Sequence, residues 1–377
     1  MTSPAPFRSA TIPQERLLPG IHGLRGIAAL AVVLFHLVHI ANIKVPVPFI
    51  FIAGDFGKGV HLFFLLSAFS LMHSTEHTLH RPTWMTEYFV KRFFRIAPLF
   101  YCILAGMVIW PSIKAHYLAV NPQVLLLNLT FTFGFAPWAG IVLAGWTVGV
   151  EMIFYAILPV LLLTVRSSKG TLALVLASLL ISYASRSVLH VHFQHTASLY
   201  GDNWAYYSFT PNLCFFALGM YAFRIAADGE WNTPAMRLGV SAFATCLILA
   251  LLFGGRYNSW RPDILLWGFG FAALALWQSK WPSRWCANKF FEYVGERSYS
   301  VYLLHPVVII ILRKPLQSLY GMLTPSIGAY AYFACAGLVL LTLLILSEAS
   351  YRLIEIPGIR YGQRINARLR ARQNASK

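Results

Sequence analysis

Arg25 and His36 stand eleven residues apart in a run that is otherwise almost wholly apolar, from Leu24 through Ile27, Leu30, Val33 and Phe35 to Val38. An ionisable side chain at the centre of a bilayer costs roughly 2.5–3.5 kcal/mol on insertion scales, so such residues mark candidate sites. On an α-helix, eleven steps of about 100° return to nearly the same face, and a rise of about 1.5 Å per residue sets the two groups roughly 16 Å apart. One face then carries a fixed cation near one end and an imidazole about half a membrane further on. That arrangement suits a reaction held inside the membrane while a charged reactant is anchored at its edge. Imidazole is suited to general-base work, because its unperturbed pKa lies near neutral pH. His22 and His39 lie three residues from Arg25 and His36 and near the same face, so a generic polar seam accounts for part of the pattern as well.

Three further clusters carry chemistry. Lys91, Arg92 and Arg95 are interleaved with aromatics between Tyr88 and Tyr101. Arg92 and Arg95, one turn apart, can present paired forks to phosphates, and amides at a helix start favour an anion. The plainer reading is a set of snorkelling helix-end anchors. Glu151, within Trp146–Tyr155, is the sole acid between Glu87 and Asp202. A buried carboxylate must pair or protonate, so it either bridges two helices, orients a histidine or binds a sugar hydroxyl. His305 precedes Pro306, whose missing N–H frees the carbonyl one turn earlier and kinks the helix; His305 reads as core packing or as site lining. His190, His192 and His195 have no fixed acid beside them, and no metal site is expected. Trp204, Tyr206 and Tyr207 read as an interfacial belt or as a stacking surface for sugar rings.

These residues need elements that a membrane can hold. Of 377 residues, 58% are hydrophobic and 11% charged, against about a quarter charged in a soluble domain. The chain therefore reads as an all-α polytopic membrane protein, with about ten transmembrane helices in one bundle. The expected spans are 22–42, 56–74, 93–112, 146–165, 171–190, 209–226, 237–254, 263–279, 299–314 and 327–349. The segment 122–137 is apolar but short and broken by Gly134, and is expected to be re-entrant or interfacial. The formal charge of +17 sits at the ends of apolar runs. It reads as a positive-inside signal that places both termini in the cytoplasm, and it excludes nucleic acid as a partner. Five single cysteines, Cys102, Cys214, Cys246, Cys286 and Cys335, have no metal or disulfide spacing and read as packing residues. The first twenty residues are polar and lack a signal core, so the first span is expected to direct insertion. The expected organisation is a cytoplasmic segment 1–20, a membrane domain 21–362 and a basic, frayed cytoplasmic tail 363–377.

Taken together, the clusters resemble the membrane acyltransferase family 3. Its first-helix Arg (or Lys), ten residues, His pattern is matched by Arg25 and His36. Its Gly-Val-Asp-x-Phe-Phe-x-x-Ser-Gly-Phe segment is similar to Gly59-Val60-His61-Leu62-Phe63-Phe64-Leu65-Leu66-Ser67-Ala68-Phe69. Arg92, Arg95 and Pro98 resemble its Arg-x-x-Arg motif, and Trp146, Glu151, Phe154 and Tyr155 its Trp-Ser-Leu-x-x-Glu-x-x-Phe-Tyr segment. Ser298, Tyr299, Tyr302, Leu303 and His305 resemble its late Ser-Tyr-x-x-Tyr-Leu-x-His run, and Glu355 with Pro357 its closing Glu-x-Pro. The likeness runs from about residue 20 to 362. His61 stands where the family has Asp, Ala68 where it has Gly, and Thr147 where it has Ser. The missing acid implies a changed orientation of the first-helix histidine, or a branch with a different donor or acceptor.

The resemblance implies transfer of an acyl group, commonly acetyl, from cytosolic acyl-CoA to a hydroxyl of an extracytoplasmic or lipid-linked glycan. The implied location is the bacterial cytoplasmic (inner) membrane. His36, Arg25 and Glu151 would be catalytic, with His36 as general base or, as the second choice, as acyl carrier. Arg92, Arg95, Lys91, Ser67, Trp146, Tyr155, Tyr302 and His305 would bind acyl-CoA or substrate. No cofactor or metal is implied; the partners are acyl-CoA, the glycan acceptor and the bilayer. The competing class is a multi-pass transporter or flippase, which has no need of acyl transfer or CoA release.

Overall fold

The computed structural model describes residues 18–115, 119–193, 204–227, 233–253 and 263–375, and these contain helices and no strand. Only helices and closed barrels can satisfy their own backbone polar groups in lipid, and this chain takes the first solution. The helices are α1 (Pro19–Ala41), α2 (Ile50–Gly54), α3 (Gly59–Glu76), α4 (Trp84–Ala115) and α5 (Pro122–Leu129). They continue with α6 (Trp146–Thr164), α7 (Ser168–Phe193), α8 (Trp204–Tyr207), α9 (Phe209–Ala227) and α10 (Pro234–Phe253). The remainder are α11 (Asp263–Lys280), α12 (Lys289–Glu296), α13 (Ser298–Ile327), α14 (Ala331–Ser350) and α15 (Ile356–Ala375).

Among the described residues, seven stretches are long and apolar enough to cross a membrane, and the last of them, Ser298–Gln373, takes in both α13 and α14. Helices α9 and α11 fill two further expected positions without reaching that hydropathy. Pro211, Asn212 and Arg224 dilute α9, which nevertheless buries much of its length. The segment 122–137 does not form a spanning helix. Its helix α5 has eight residues, and two short 3-10 turns carry the chain back toward α6.

Helix α1 is the hub. Its Ile21, Leu24, Ala28 and Val32 join a core shared with α3, α4, α6 and α9, while Ala29, Val33, Leu37 and Ala41 join a second core with α13 and α14. Close approach is made possible by Gly20, Gly23 and Gly26, one every third residue. A Cβ at Gly23 would lie 2.0 Å from the Cys286 carbonyl oxygen, and one at Gly26 would lie 2.4 Å from that of Phe291. Gly295 reciprocates, with a Cβ position 2.0 Å from the His22 carbonyl oxygen. Small residues at helix contacts are the usual means of packing where lipid removes the hydrophobic drive between helices.

Two elements differ from expectation. Helix α4 starts at Trp84, about nine residues before the expected span, so Arg92 and Arg95 lie well inside it and no free helix-start amides face them. The early start is stabilised locally, since Thr83 Oγ1 donates to Glu87 Oε1 at 2.8 Å. The tail is not frayed: α15 is helical to Ala375 and docks on α4. Asn366 Nδ2 donates to the Glu87 carbonyl at 3.1 Å, and Arg370 pairs with the Glu87 carboxylate at 3.4 Å. Gly358 and Gly362 let it approach Pro98 and Phe94 closely. A π-helical turn, Tyr351–Glu355, joins α14 to α15 and turns Glu355 inward. The cysteines are all free. Cys286 donates its thiol to the Gly20 carbonyl at 3.1 Å, and burial, with Glu292 adding to it, pushes the thiol up to about 12.

Candidate active site

His36 and His305 meet at the boundary between α1 and α13. His305 Nε2 and His36 Nδ1 are 3.1 Å apart, and the rings are 4.8 Å apart between centroids. Local sequence dictates which nitrogens carry protons. Pro306 has no N–H, so the carbonyl of Tyr302, one turn earlier, lacks its helical donor. The His305 ring takes that place, Nδ1–H donating to the Tyr302 carbonyl. With Nδ1 protonated, neutral His305 presents Nε2 as an acceptor. The proton between the rings therefore belongs to His36 Nδ1, which also points at the Val32 carbonyl at 3.0 Å. His36 Nε2 is left with its lone pair, the form a general base requires. His305 is fully buried, whereas His36 keeps partial access.

Arg25 lies on the same side of α1. Its Nε donates to Ser298 Oγ at 3.4 Å, at the first residue of α13. Arg92, Arg95, Glu151 and Tyr155 all lie within its electrostatic reach. Glu151 has the hydroxyls of Ser67 and Tyr155 as its polar neighbours, and these are themselves 3.3 Å apart. Its charged neighbours are Arg25 and Arg92, whereas the His36 ring is hydrogen-bonded to Val32 and His305. Tyr88, in turn, donates to the Tyr155 carbonyl at 3.1 Å.

The two arginines of α4 have different partners. Arg92 donates to Ser74 Oγ at 3.3 Å and lines a small pocket with Lys91, Thr75, Thr78 and Tyr88. Arg95 is held in an ion pair with buried Glu355 at 3.0 Å, and donates to the Glu296 carbonyl at 3.4 Å. Glu355 also accepts from Ser300. More ion pairs belong to this rim: Arg224 with Glu76, and Glu348 with both Arg297 and Arg352.

Trp146 and Tyr302 lie on the other side of the site. Trp146 packs on Phe64, Tyr206 and Tyr207, with ring centroids 5.9, 5.3 and 4.8 Å away. Tyr302 donates its hydroxyl to the Ala144 carbonyl at 3.3 Å, and its ring centroid is 5.5 Å from that of His305. His61 is not beside His36. It is fully buried against Tyr206 and Phe215, with Asn212 and Lys58 as its polar neighbours, and neither ring nitrogen has a hydrogen bond of good geometry. His61 therefore shares no hydrogen bond with His36, whose ring meets His305 instead. His39 holds the Ala53 carbonyl at 2.9 Å and is structural. His195 and the side chains of His190, His192 and Trp204 lie outside the described residues. No group of metal-ligating side chains occurs among those described.

Sequence reading missed Ser74, the bond from Arg25 to Ser298 and the Arg95–Glu355 pair. Glu355 was visible as part of the closing Glu-x-Pro likeness, but nothing local pointed to α4. A polytopic bundle that buries a histidine pair near a cation-rich rim is compatible with a membrane-embedded transferase, and the family match decides the matter. The chain belongs to the membrane acyltransferase family 3, whose acyltransferase-domain model matches residues 18–347. That membership decides between enzyme and transporter in favour of the enzyme.

Curated relatives agree. A putative membrane-bound transacylase, BcsY of Komagataeibacter xylinus, is 26% identical over 96% of this chain and 90% of its own length. The peptidoglycan O-acetyltransferase OatA of Listeria monocytogenes is 23% identical over 91% of this chain. The O-acetyltransferase OatA of Staphylococcus aureus is 24% identical over the same share. The chain spans 56% and 57% of those two OatA proteins. No solved structure matches the chain.

Proposed function

We propose that this protein is an O-acyltransferase that moves an acyl group, acetyl in the first instance, from cytosolic acyl-CoA to a hydroxyl of a glycan beyond the membrane. The observation that carries the proposal is the His36–His305 contact, which leaves His36 Nε2 as an unprotonated base inside the bundle. In the reaction, the acceptor hydroxyl gives its proton to His36 Nε2 as its oxygen attacks the thioester carbonyl carbon. The C–S bond breaks, and the thiolate takes the proton back to leave as free CoA. His305 touches neither reactant; it positions His36 and fixes its tautomer. The glycan acceptor follows the peptidoglycan O-acetyltransferase named among the relatives.

Lys91, Arg92 and Arg25 supply cations for the CoA phosphates at the rim. Arg95, neutralised by Glu355, braces α4 against the π-helical turn between α14 and α15 instead. From that rim the pantetheine arm would have to cover the roughly 16 Å that eleven helical residues span. Glu151, with Ser67 and Tyr155, offsets Arg25 along that route. The concentration of cations on this rim supports a cytoplasmic orientation for it, with both termini on the same side of a bacterial inner membrane.

The test uses purified protein in lipid nanodiscs with labelled acetyl-CoA, scored by transfer to glycan and by thiol release. His36→Ala is expected to lower kcat by about 10²–10⁴-fold, the usual contribution of a general base, with little change in acetyl-CoA affinity. Full transfer by a folded His36→Ala protein would remove the mechanism.

A further inference from the structure

Between α5 and α6, where the chain forms only two short 3-10 turns, lies a half-open cavity of about 200 Å³, walled by Trp138, Ile141, Leu143, Ala144, Trp146 and Tyr207 among others. At roughly 30 Å³ per water, the space equals about seven waters, the size of a single pyranose ring. No charged side chain lines it. A polyanionic nucleotide has no cationic side chain to meet on these walls, whereas Lys91 and Arg92 line a separate pocket.

The walls are built rather than loose. Ala144 has φ of +58°, a left-handed conformation that an alanine rarely adopts. Two side chains hold it there, since Tyr302 and Thr147 both donate to its carbonyl, at 3.3 and 3.2 Å. Fully buried Asn128 pins the other end, donating to the Ala139 carbonyl at 2.6 Å and accepting from the Ile141 amide at 3.0 Å. Such over-determined strain is typical of functional sites. Three aromatic rings face this space: Trp138, half-exposed at 51%, and Trp146 with Tyr207, which pack against each other. The C–H face of a sugar ring carries slight positive charge and complements the negative face of an aromatic ring. Non-helical backbone offers N–H and C=O groups to hydroxyls, for which an alkyl chain has no use. The wall also leads to the chemistry, because Tyr302 contacts Ala144 at one end and lies against His305 at the other.

We infer that this cavity is the acceptor subsite, taking one uncharged sugar ring of the glycan between Trp138, Trp146 and Tyr207. The inference deepens the acyltransferase reading and rests on it. It is tested first by binding alone. A Leu143→Cys variant is labelled with a maleimide, and modification at position 143 is read by peptide mass spectrometry. Chitotetraose or cellotetraose is expected to slow labelling several-fold, and decanol, as an alkyl probe, is expected to have no effect. Protection by decanol and by neither oligosaccharide would mean a lipid groove and overturn the inference, as would protection by none of the three.

The second arm is kinetic, with acetyl-CoA as donor. Trp138→Ala and Tyr207→Ala should each raise KM for the oligosaccharide about tenfold with a much smaller change in kcat, the mark of lost binding rather than lost chemistry. Trp138→Phe should recover most of the difference. Unchanged KM in variants that still transfer would sink the subsite while leaving the acyltransferase intact. Protection without any thiol release by wild type would instead sink the acyltransferase and keep the sugar site.

Discussion

At the scale of single residues, the informative unit is Tyr302, His305, Pro306 and His36 acting in series. A proline removes one N–H, a carbonyl takes a histidine proton in its place, and that choice dictates the tautomer of a second histidine 269 residues away. Restoring the N–H with Pro306→Ala lets the backbone compete for the Tyr302 carbonyl and frees His305 to present either nitrogen. We expect kcat to fall roughly tenfold, about 1.4 kcal/mol of barrier, with KM for both substrates little changed. The pH–rate profile is the deciding readout. Activity should fall on the acid side, where His36 protonates and loses its lone pair, and that limb should move in Pro306→Ala. A limb that stays put would mean that Pro306 serves only the shape of the helix. The sequence displayed His36, His305 and Pro306 as unusual residues, because polar groups and prolines in apolar runs are conspicuous. It did not display their pairing, because neither helix encodes which neighbour it packs against.

Elements set the spacing of these groups, and α1 sets most of it. Its Gly20, Gly23 and Gly26 bring it into backbone contact with the end of α11, the 281–288 loop and α12, the last of which sits directly before Ser298 and so places the Arg25 partner. Gly26→Val is expected to cost about 1–3 kcal/mol or more of stability through overpacking against backbone that cannot yield. A thermal-unfolding midpoint in detergent would show it, with Gly321→Ala as control, since nothing lies within 4 Å of a Cβ there. Equal midpoints would deny α1 its hub role. The repeat of three glycines is plain in the sequence, yet the partner surface is not. The same limit explains α4, whose early start depends on Glu87 contacts with Thr83 and the distant α15. Glu151 belongs here too: a lone acid on α6 was legible, whereas its pairing with Ser67 of α3 followed from how two helices cross.

At the scale of the whole molecule, the pocket lined by Lys91 and Arg92 is distinct from the uncharged aromatic cavity. Lys91, Arg92, Arg224, Arg297 and Arg352 crowd one rim, and Trp138, Trp146 and Tyr207 gather around an uncharged cavity. Helix α15 ties the cationic rim together by clamping α4. Truncation after Arg360 should preserve membrane insertion, loosen α4 and raise KM for acyl-CoA several-fold, measured against an unchanged KM for the glycan. An unaltered acyl-CoA KM would make α15 a mere appendage. The sequence by itself determined the helical membrane class and the residues worth watching. Both follow from local physics: long apolar runs must be helical in lipid, and a charge within one is costly enough to need a reason. Only the tertiary structure decided that His36 meets His305 rather than Glu151, that Arg95 serves Glu355, and that His61 stands apart. Those outcomes depend on contacts between helices far apart in the chain, which the fit of side chains and glycines across their surfaces selects.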